Sequence, residues 1–416
     1  MSGSLWRNSD FVKMWTGESV SLFGTYITQL AFPLTAILAL DATASEVGFI
    51  NAARFAPFLL IPLFAGVWVD RHRRKPVLLA ARAGCAVALC AVPLAQTSGL
   101  LSIALMCVIA FVIGSLGVVD QIAYQAFVPS VVPKDQLVRA NSGFMGSESV
   151  ASVAGPGVAG LLIAAITAPV ALLVNAASFV FSTVMLLFVR AEEEKPAPPD
   201  GDKRVFAQIL LGMRLTLGNR VLVSLIGWSG TYNFFHSGAF TLVVIFLVDE
   251  LGVGAGSVGV VFAVGGVGAL LGAVAARRAG DRWGVGRTMV GAMAVAAAPW
   301  LLVAFAHDAL TGVLVFGAVL FVNGLGETAS NIHSLSLRQS VIPPELLGTV
   351  MGGMRFLIWG LIPVGSLLGG VLGTAIGLRP ALLLCAAGMI AACAWPLATK
   401  LFRIRSAEDV TLTLTR

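Results

Sequence analysis

Charge is what this chain has least of. Asp, Glu, Lys and Arg supply 12% of its 416 residues, against about a quarter in a soluble domain, while hydrophobic residues supply 57%. That balance excludes a water-soluble globular fold and implies an all-α integral membrane protein. Cysteine is also sparse. Cys85, Cys90, Cys107, Cys385 and Cys393 all fall in apolar segments without paired metal spacing, so they read as small buried hydrophobes, not as a disulfide framework. No glycine-rich loop ends in Gly-Lys-Ser/Thr, and no His/Cys cluster has ligand spacing. No cofactor and no metal are therefore expected, and an ion gradient, with protons the expected ion, takes the place of ATP as energy source. The first apolar run lacks the short core and small-residue cleavage site of a secretory signal, so it is expected to remain as a spanning helix. The net charge of +6 is modest and sits in loops between apolar runs. It points to the lipid bilayer as a partner and away from nucleic acid.

What the chain has in abundance is hydrocarbon-length sequence. A bilayer core of about 30 Å needs about 20 mainly apolar residues, and twelve runs qualify: 14–40, 47–69, 76–96, 100–127, 141–166, 169–189, 221–248, 257–276, 287–306, 309–334, 348–376 and 379–402. Sorting the basic residues by the loops these spans define places 25 of 27 on one side, with only Arg54 and Arg379 toward the other. The positive-inside tendency makes that side cytoplasmic. Both termini are then cytoplasmic, as an even number of spans requires, and the expected location is the plasma membrane.

One polar linker, Ala191 to Arg204, carries charge and proline and is too polar to enter lipid. It sets the expected organisation: a six-helix bundle over 1–190, a cytoplasmic linker over 191–219 and a second six-helix bundle over 220–416. The halves look duplicated. Phe111-Val-Ile-Gly114 is answered by Phe321-Val-Asn-Gly324, and Ser130-Val-Val-Pro133 by Ser340-Val-Ile-Pro343, both at an offset of 210 residues. A duplicated unit places a transport site between the two copies near the bilayer midplane.

Between the second and third runs lies Gly66-Val-Trp-Val-Asp70-Arg71-His-Arg-Arg74-Lys75, a basic turn carrying one acid, with an echo in Asp281-Arg282. The positive-inside rule explains the basic residues but needs no acid. Asp70, pairing with Arg71 or Arg74, suits a latch made in one conformation only, and plain topology is the competing reading. In the fifth run Gly155-Pro156 is followed by Gly157 and Gly160. Proline removes a backbone donor and small residues allow close crossing, so a kinked, tightly packed helix is expected, with Pro363 as its counterpart in the second half.

The pattern Gly-x-x-x-Asp-Arg-x-x-Arg-Lys resembles the signature between the second and third helices of major facilitator superfamily transporters. Ala140-Asn-Ser142 leading into Gly155-Pro156-Gly157 resembles the fifth-helix motif of its drug/proton antiporters. Trp15 to Gly24, Asp120 to Gln125, Phe262 to Gly272, Leu337-Arg338-Gln339 and Arg355 to Pro363 are similar to the twelve-helix branch that exports macrolides and siderophores. The resemblance implies the major facilitator fold, two pseudo-symmetric six-helix bundles, with a monomer as the working form. The chain departs from it in three places, one being Thr349 after Gly348, where an Arg is common in relatives. Arg82 and Cys85 stand early in the third helix where relatives often have an acid and a base, and Val112 to Gly117 hold no Arg of the kind such antiporters carry in the fourth helix.

Ionisable groups within the spans are costly and therefore informative. They are Glu18, Arg54, Asp120, Glu148, His236, Glu327 and Arg355. Glu18 reads either as a proton carrier or as a snorkelling or capping group. Asp120 and Glu148 read as proton sites or as structural ion pairs with Arg139, Arg82 or Arg355. Glu327 sits between Asn323 and Asn331 at i−4 and i+4 on one polar stripe, and Asn233 and His236 make a second patch at i and i+3. The function these residues imply is proton-coupled export of an amphipathic small molecule by a secondary transporter, not an enzyme. Uptake or facilitated diffusion of a small polar solute is the alternative, and a non-transporting receptor or scaffold is the distant one.

Overall fold

The computed structural model describes residues 5–61, 72–191, 193, 210, 213–342, 347–399 and 401–405. These are helical, with no strand among them. The helices are α1 Ser9–Leu40, α2 Ala44–Phe55, α3 Arg74–Thr97, α4 Ile103–Val131, α5 Leu137–Ile166, α6 Ala168–Leu187, α7 Arg220–Ile245, α8 Ala255–Trp283, α9 Val285–Ala297, α10 Ala309–Val341, α11 in two pieces, Leu347–Trp359 and Leu361–Ile376, and α12 Leu378–Ala392. A π-helical turn, Phe246–Glu250, extends α7, and a 3-10 stretch, Ala298–Phe305, extends α9. Among the described residues eleven helices are long and apolar enough to cross a membrane. The second of the twelve expected runs begins as α2 and passes into 62–71, outside the described residues.

Local chemistry explains where these helices start and stop. Asn8, Ser102, Asn219 and Asp308 each accept backbone N–H groups of the first turn they precede. At Asp308 the bond from the Thr311 N–H also holds the carboxyl below the usual carboxylate range. The repeated Ser-Val-x-Pro elements end α4 and α10 alike. Val132 and Ile342 both turn extended, as a residue before proline is constrained to do. Both helices thus outlast the apolar runs that marked them, reaching 131 and 341 instead of 127 and 334.

By contacts the chain divides into residues 1–42 with 53–202 and residues 43–52 with 203–416. In the first unit α1 packs along α6 through glycine. Gly24 lies against the side chains of Asn175 and Ser178, and Gly17 against Ser182 and Met185. The Asn175 amide donates to Thr28 at 2.6 Å across the same seam. In the second unit α8 and α10 meet backbone to backbone. Gly268 and Gly272, four apart on α8, abut the carbonyls of Phe321 and Leu325, and Gly324 abuts that of Gly265. Such small-residue spacing lets spanning helices approach closely. Gly365 and Gly369 of α11 do the same for α7 at Phe234 and Gly238.

Many exposed positions along the helices are apolar: Val87, Leu94, Leu161, Phe188, Val274 and Leu310 are among the large hydrophobics left exposed. A surface of that kind belongs in lipid. Arg379, one of the two basic residues sorted apart from the rest, satisfies the end of the 3-10 stretch. Its guanidinium donates to the carbonyls of Val303, Ala304 and Ala306 at 3.3, 3.1 and 2.5 Å, and it reaches the Glu250 carboxylate at 3.4 Å.

Candidate functional site

Three helices of the first unit converge on one guanidinium. Arg82 stands about 12 Å along α3 and Glu18 about 14 Å along α1, while Asp120 lies three residues past the midpoint of α4. Arg82 Nη2 donates to Glu18 Oε2 at 2.6 Å, and Nε donates to Asp120 Oδ1 at 2.8 Å. Its remaining terminal nitrogen, Nη1, donates to the Ser182 hydroxyl of α6, and the Tyr124 ring lies 5.6 Å from its charge centre. Only 3% of Arg82 is exposed, whereas the two carboxylate side chains each keep 19%. Two acids share one base, so the cluster is one negative charge out of balance when all three are ionised. One added proton makes it neutral, which is the electrical property a proton-exchanging site needs.

This geometry gives each of the N-terminal acids a partner. Glu18 is an ion-pair partner, not a snorkelling or capping group. Asp120 takes Arg82. Among the described residues Glu148 takes neither Arg82 nor another arginine; it accepts the Tyr26 hydroxyl at 3.0 Å across the α1–α5 interface. Arg355 lies over the ring of Trp359 at 4.9 Å. Arg82, the hub, is one of three partners the sequence offers Asp120, but it is absent from the costly groups within the spans. The rule applied to Asp120, that ionisable groups inside a span are costly, would have found it.

The second unit holds a different cluster. Longer α10 moves Glu327 to two residues past its midpoint, and His236 is one residue past the middle of α7 with its extension. The two patches expected separately meet, with His236 Nε2 3.8 Å from Glu327 Oε2. That nitrogen is buried and has no hydrogen-bond partner among the described residues. Rings enclose the imidazole: Tyr232 stacks at 5.6 Å, Phe240 lies at 5.9 Å and Trp300 stands edge-on at 6.0 Å. Asn323 is buried and anchors Tyr232, donating to its hydroxyl at 2.9 Å and to the Ala296 carbonyl at 3.3 Å. The expected polar stripe is graded: Asn323 is buried, the Glu327 side chain is 29% exposed and Asn331 is exposed. Asn233 turns back on its own helix, donating to the Ser229 carbonyl.

The described part of the basic turn works as caps. The carboxylate of Glu193 accepts the first amides of α3, from Arg74 at 2.7 Å and Lys75 at 3.1 Å. Lys75 Nζ donates to the carbonyls of Leu187 and Val189 at the end of α6. Both place charge where the helix dipole favours it. Gly66, Asp70 and Arg71 lie outside the described residues. In the echo Asp281 sits 4.0 Å from Arg277, and Arg282 covers Trp283. Gly155 packs on Tyr26, with Pro156 and Gly160 buried inside an uninterrupted α5. Pro363 differs: α11 breaks at Gly360, and Pro363 occupies the first turn of the second piece, where a missing N–H costs little.

A multi-pass bundle with charged clusters at hydrocarbon depth defines a membrane transport protein. The Major Facilitator Superfamily description matches residues 14–363 and again 235–415, and the chain belongs to this family of transporters. It is similar to Macrolide efflux protein A of Streptococcus pyogenes, 25% identical over 232 residues, or 54% of this chain and 56% of that protein's length. It is also 25% identical to the Multidrug efflux pump Tap of Mycobacterium tuberculosis over 370 residues, covering 86% of this chain and 85% of Tap. Among solved structures, a bacterial homologue of the iron transporter ferroportin matches with a TM-score of 0.71 at 19% identity, covering 95% of this chain and 99% of that one. That likeness is one of fold.

Proposed function

We propose that this chain is a proton-coupled exporter of an amphipathic organic compound, working by alternating access in the plasma membrane with both termini cytoplasmic. The observation that carries this is the Glu18–Arg82–Asp120 cluster, in which two acids compete for one buried base. Protonation of either acid releases part of the guanidinium's hydrogen bonding and removes the surplus charge. A helix set that opens and closes can respond to such a change. The names of the macrolide and multidrug efflux relatives support the outward direction and the amphipathic cargo. The His236–Glu327 cluster, walled by Tyr232, Phe240 and Trp300, supplies one acid and one imidazole in an aromatic setting, suited to cargo or to a second proton. No cofactor enters this scheme, and the monomer is its working unit.

The test is flux in reconstituted vesicles. A panel of amphipathic compounds, assayed with and without an imposed proton gradient, should show gradient-dependent export in the wild-type protein. Glu18→Gln and Asp120→Asn should each uncouple export from the gradient. Gradient-driven export at the wild-type rate in both variants would remove the cluster from the mechanism.

A further inference from the structure

We infer that the second unit carries a binding site for the headgroup of an anionic phospholipid, at the end where α8 finishes and α9 begins. A cavity of about 520 Å³ opens there, lined by Arg277 and Asp281 of α8, His333 and Ser336 of α10, and Arg405 beyond α12. Its size suits a small ligand. Arg405 is held at the rim by its backbone. The Val285 amide donates to its carbonyl at 3.1 Å, and the Gly286 amide donates to that of Ile404 at 2.9 Å.

These bonds use only the backbone of Arg405, and its side chain is exposed, with no ionic partner among the described residues. The Arg277 side chain is 92% exposed, and its only ionic neighbour among the described residues is Asp281 at 4.0 Å, too long for a hydrogen bond. Two guanidiniums against one carboxylate leave a net positive mouth. The leading amides of α9 are already occupied by the carbonyls of Ile404 and Arg405, so an anion here would be held by guanidinium, not by the helix terminus. His333 forms part of the wall, its Nε2 donating to the Ala276 carbonyl at 2.9 Å.

The choice of a lipid over a soluble phosphate ester comes from what adjoins the cavity. Ile332 lines it and is 40% exposed, and Leu335 and Val274 beside it are exposed as well. These exposed apolar positions lie on α10 and α8, both long and apolar enough to cross a membrane. Trp283 at the end of α8 is exposed with Arg282 over its ring, the residue types that favour a membrane interface. A molecule with an anionic head and acyl tails fits both parts, and basic pockets between spanning helices are a known setting for such heads.

Native mass spectrometry of the full-length protein in detergent tests this. The probes are phosphatidylglycerol, phosphatidylcholine of the same chain length, and glycerol phosphate, which has the head without tails. Phosphatidylglycerol should bind preferentially. Arg277→Gln and Arg405→Gln should each weaken it about fivefold, and the double variant about twenty-five-fold. Asp281→Asn should strengthen it, an opposite sign that general damage to the fold would not produce. Equal retention of the two lipids, or undiminished phosphatidylglycerol binding in the double variant, would overturn the assignment. Glycerol phosphate binding as tightly as the lipid would replace it with a soluble phosphate site.

Discussion

Removing Arg82 should hurt the protein more than removing the whole cluster around it. Arg82→Gln deletes two charge-assisted hydrogen bonds, at 2.6 and 2.8 Å, and leaves Glu18 and Asp120 facing each other in a poorly solvated interior. Hydrogen bonds to charged groups contribute about 1.5–3 kcal/mol each, and stripping one partner from a buried ion pair costs about 3–5 kcal/mol. The two figures agree, so a loss of about 3–5 kcal/mol is expected. The triple variant Glu18→Gln, Arg82→Gln, Asp120→Asn keeps similar shapes and carries no charge. Neutral replacement of a complete buried ion cluster is often harmless or stabilising, so most of the loss should return. Thermal denaturation in detergent, followed by tryptophan fluorescence, would rank the three proteins. The order should be wild type near the triple variant, with the single variant well below. The triple variant should also transport without regard to an imposed pH gradient. Arg82→Gln as stable as wild type, or a triple variant less stable than the single one, would refute the reasoning.

Gly268→Ala should destabilise the second unit by about 1–3 kcal/mol, because the added carbon would lie 2.7 Å from the Phe321 carbonyl carbon and 2.9 Å from its Cα; an unchanged melting curve would mean α8 and α10 part easily. Asn323→Leu should cost about 1–3 kcal/mol by orphaning the buried Tyr232 hydroxyl, and adding Tyr232→Phe should recover part of it, which a double-mutant cycle would measure. Glu327→Gln should shift or abolish the pH dependence of export, and an identical pH profile would exclude that carboxyl as a proton site.

Much of the fold could be read from hydropathy, because lipid allows few solutions and each span must declare itself as an apolar run. The ends of the helices were less legible. Residues 335–341 are polar enough to look like loop, yet nothing before Pro343 stops a helix, so α10 continues and Glu327 moves to its centre. The candidate site was legible by residue type and not by partnership. Asp120, Glu18, His236 and Glu327 each stood out as costly groups, but one sequence does not say that Glu18 and Asp120 share Arg82, or that His236 faces Glu327. Those pairings depend on the rotation of each helix about its axis, which the glycine seams set. Arg82 stood among three possible partners for Asp120 and Glu148, and nothing in the sequence singled it out as the hub. Lys75 and Glu193 show the reverse case, charges conspicuous in sequence that the structure uses as caps.

The Arg379 clasp has a consequence for the sparsely charged end of the molecule. A lysine there would crowd its donors onto a single nitrogen, whereas the planar fork spreads them to serve three carbonyls and a carboxylate together. On a surface where positive residues are scarce, a single side chain ties the close of one spanning segment to the opening of another. A conservative swap at that position would loosen several loops at once.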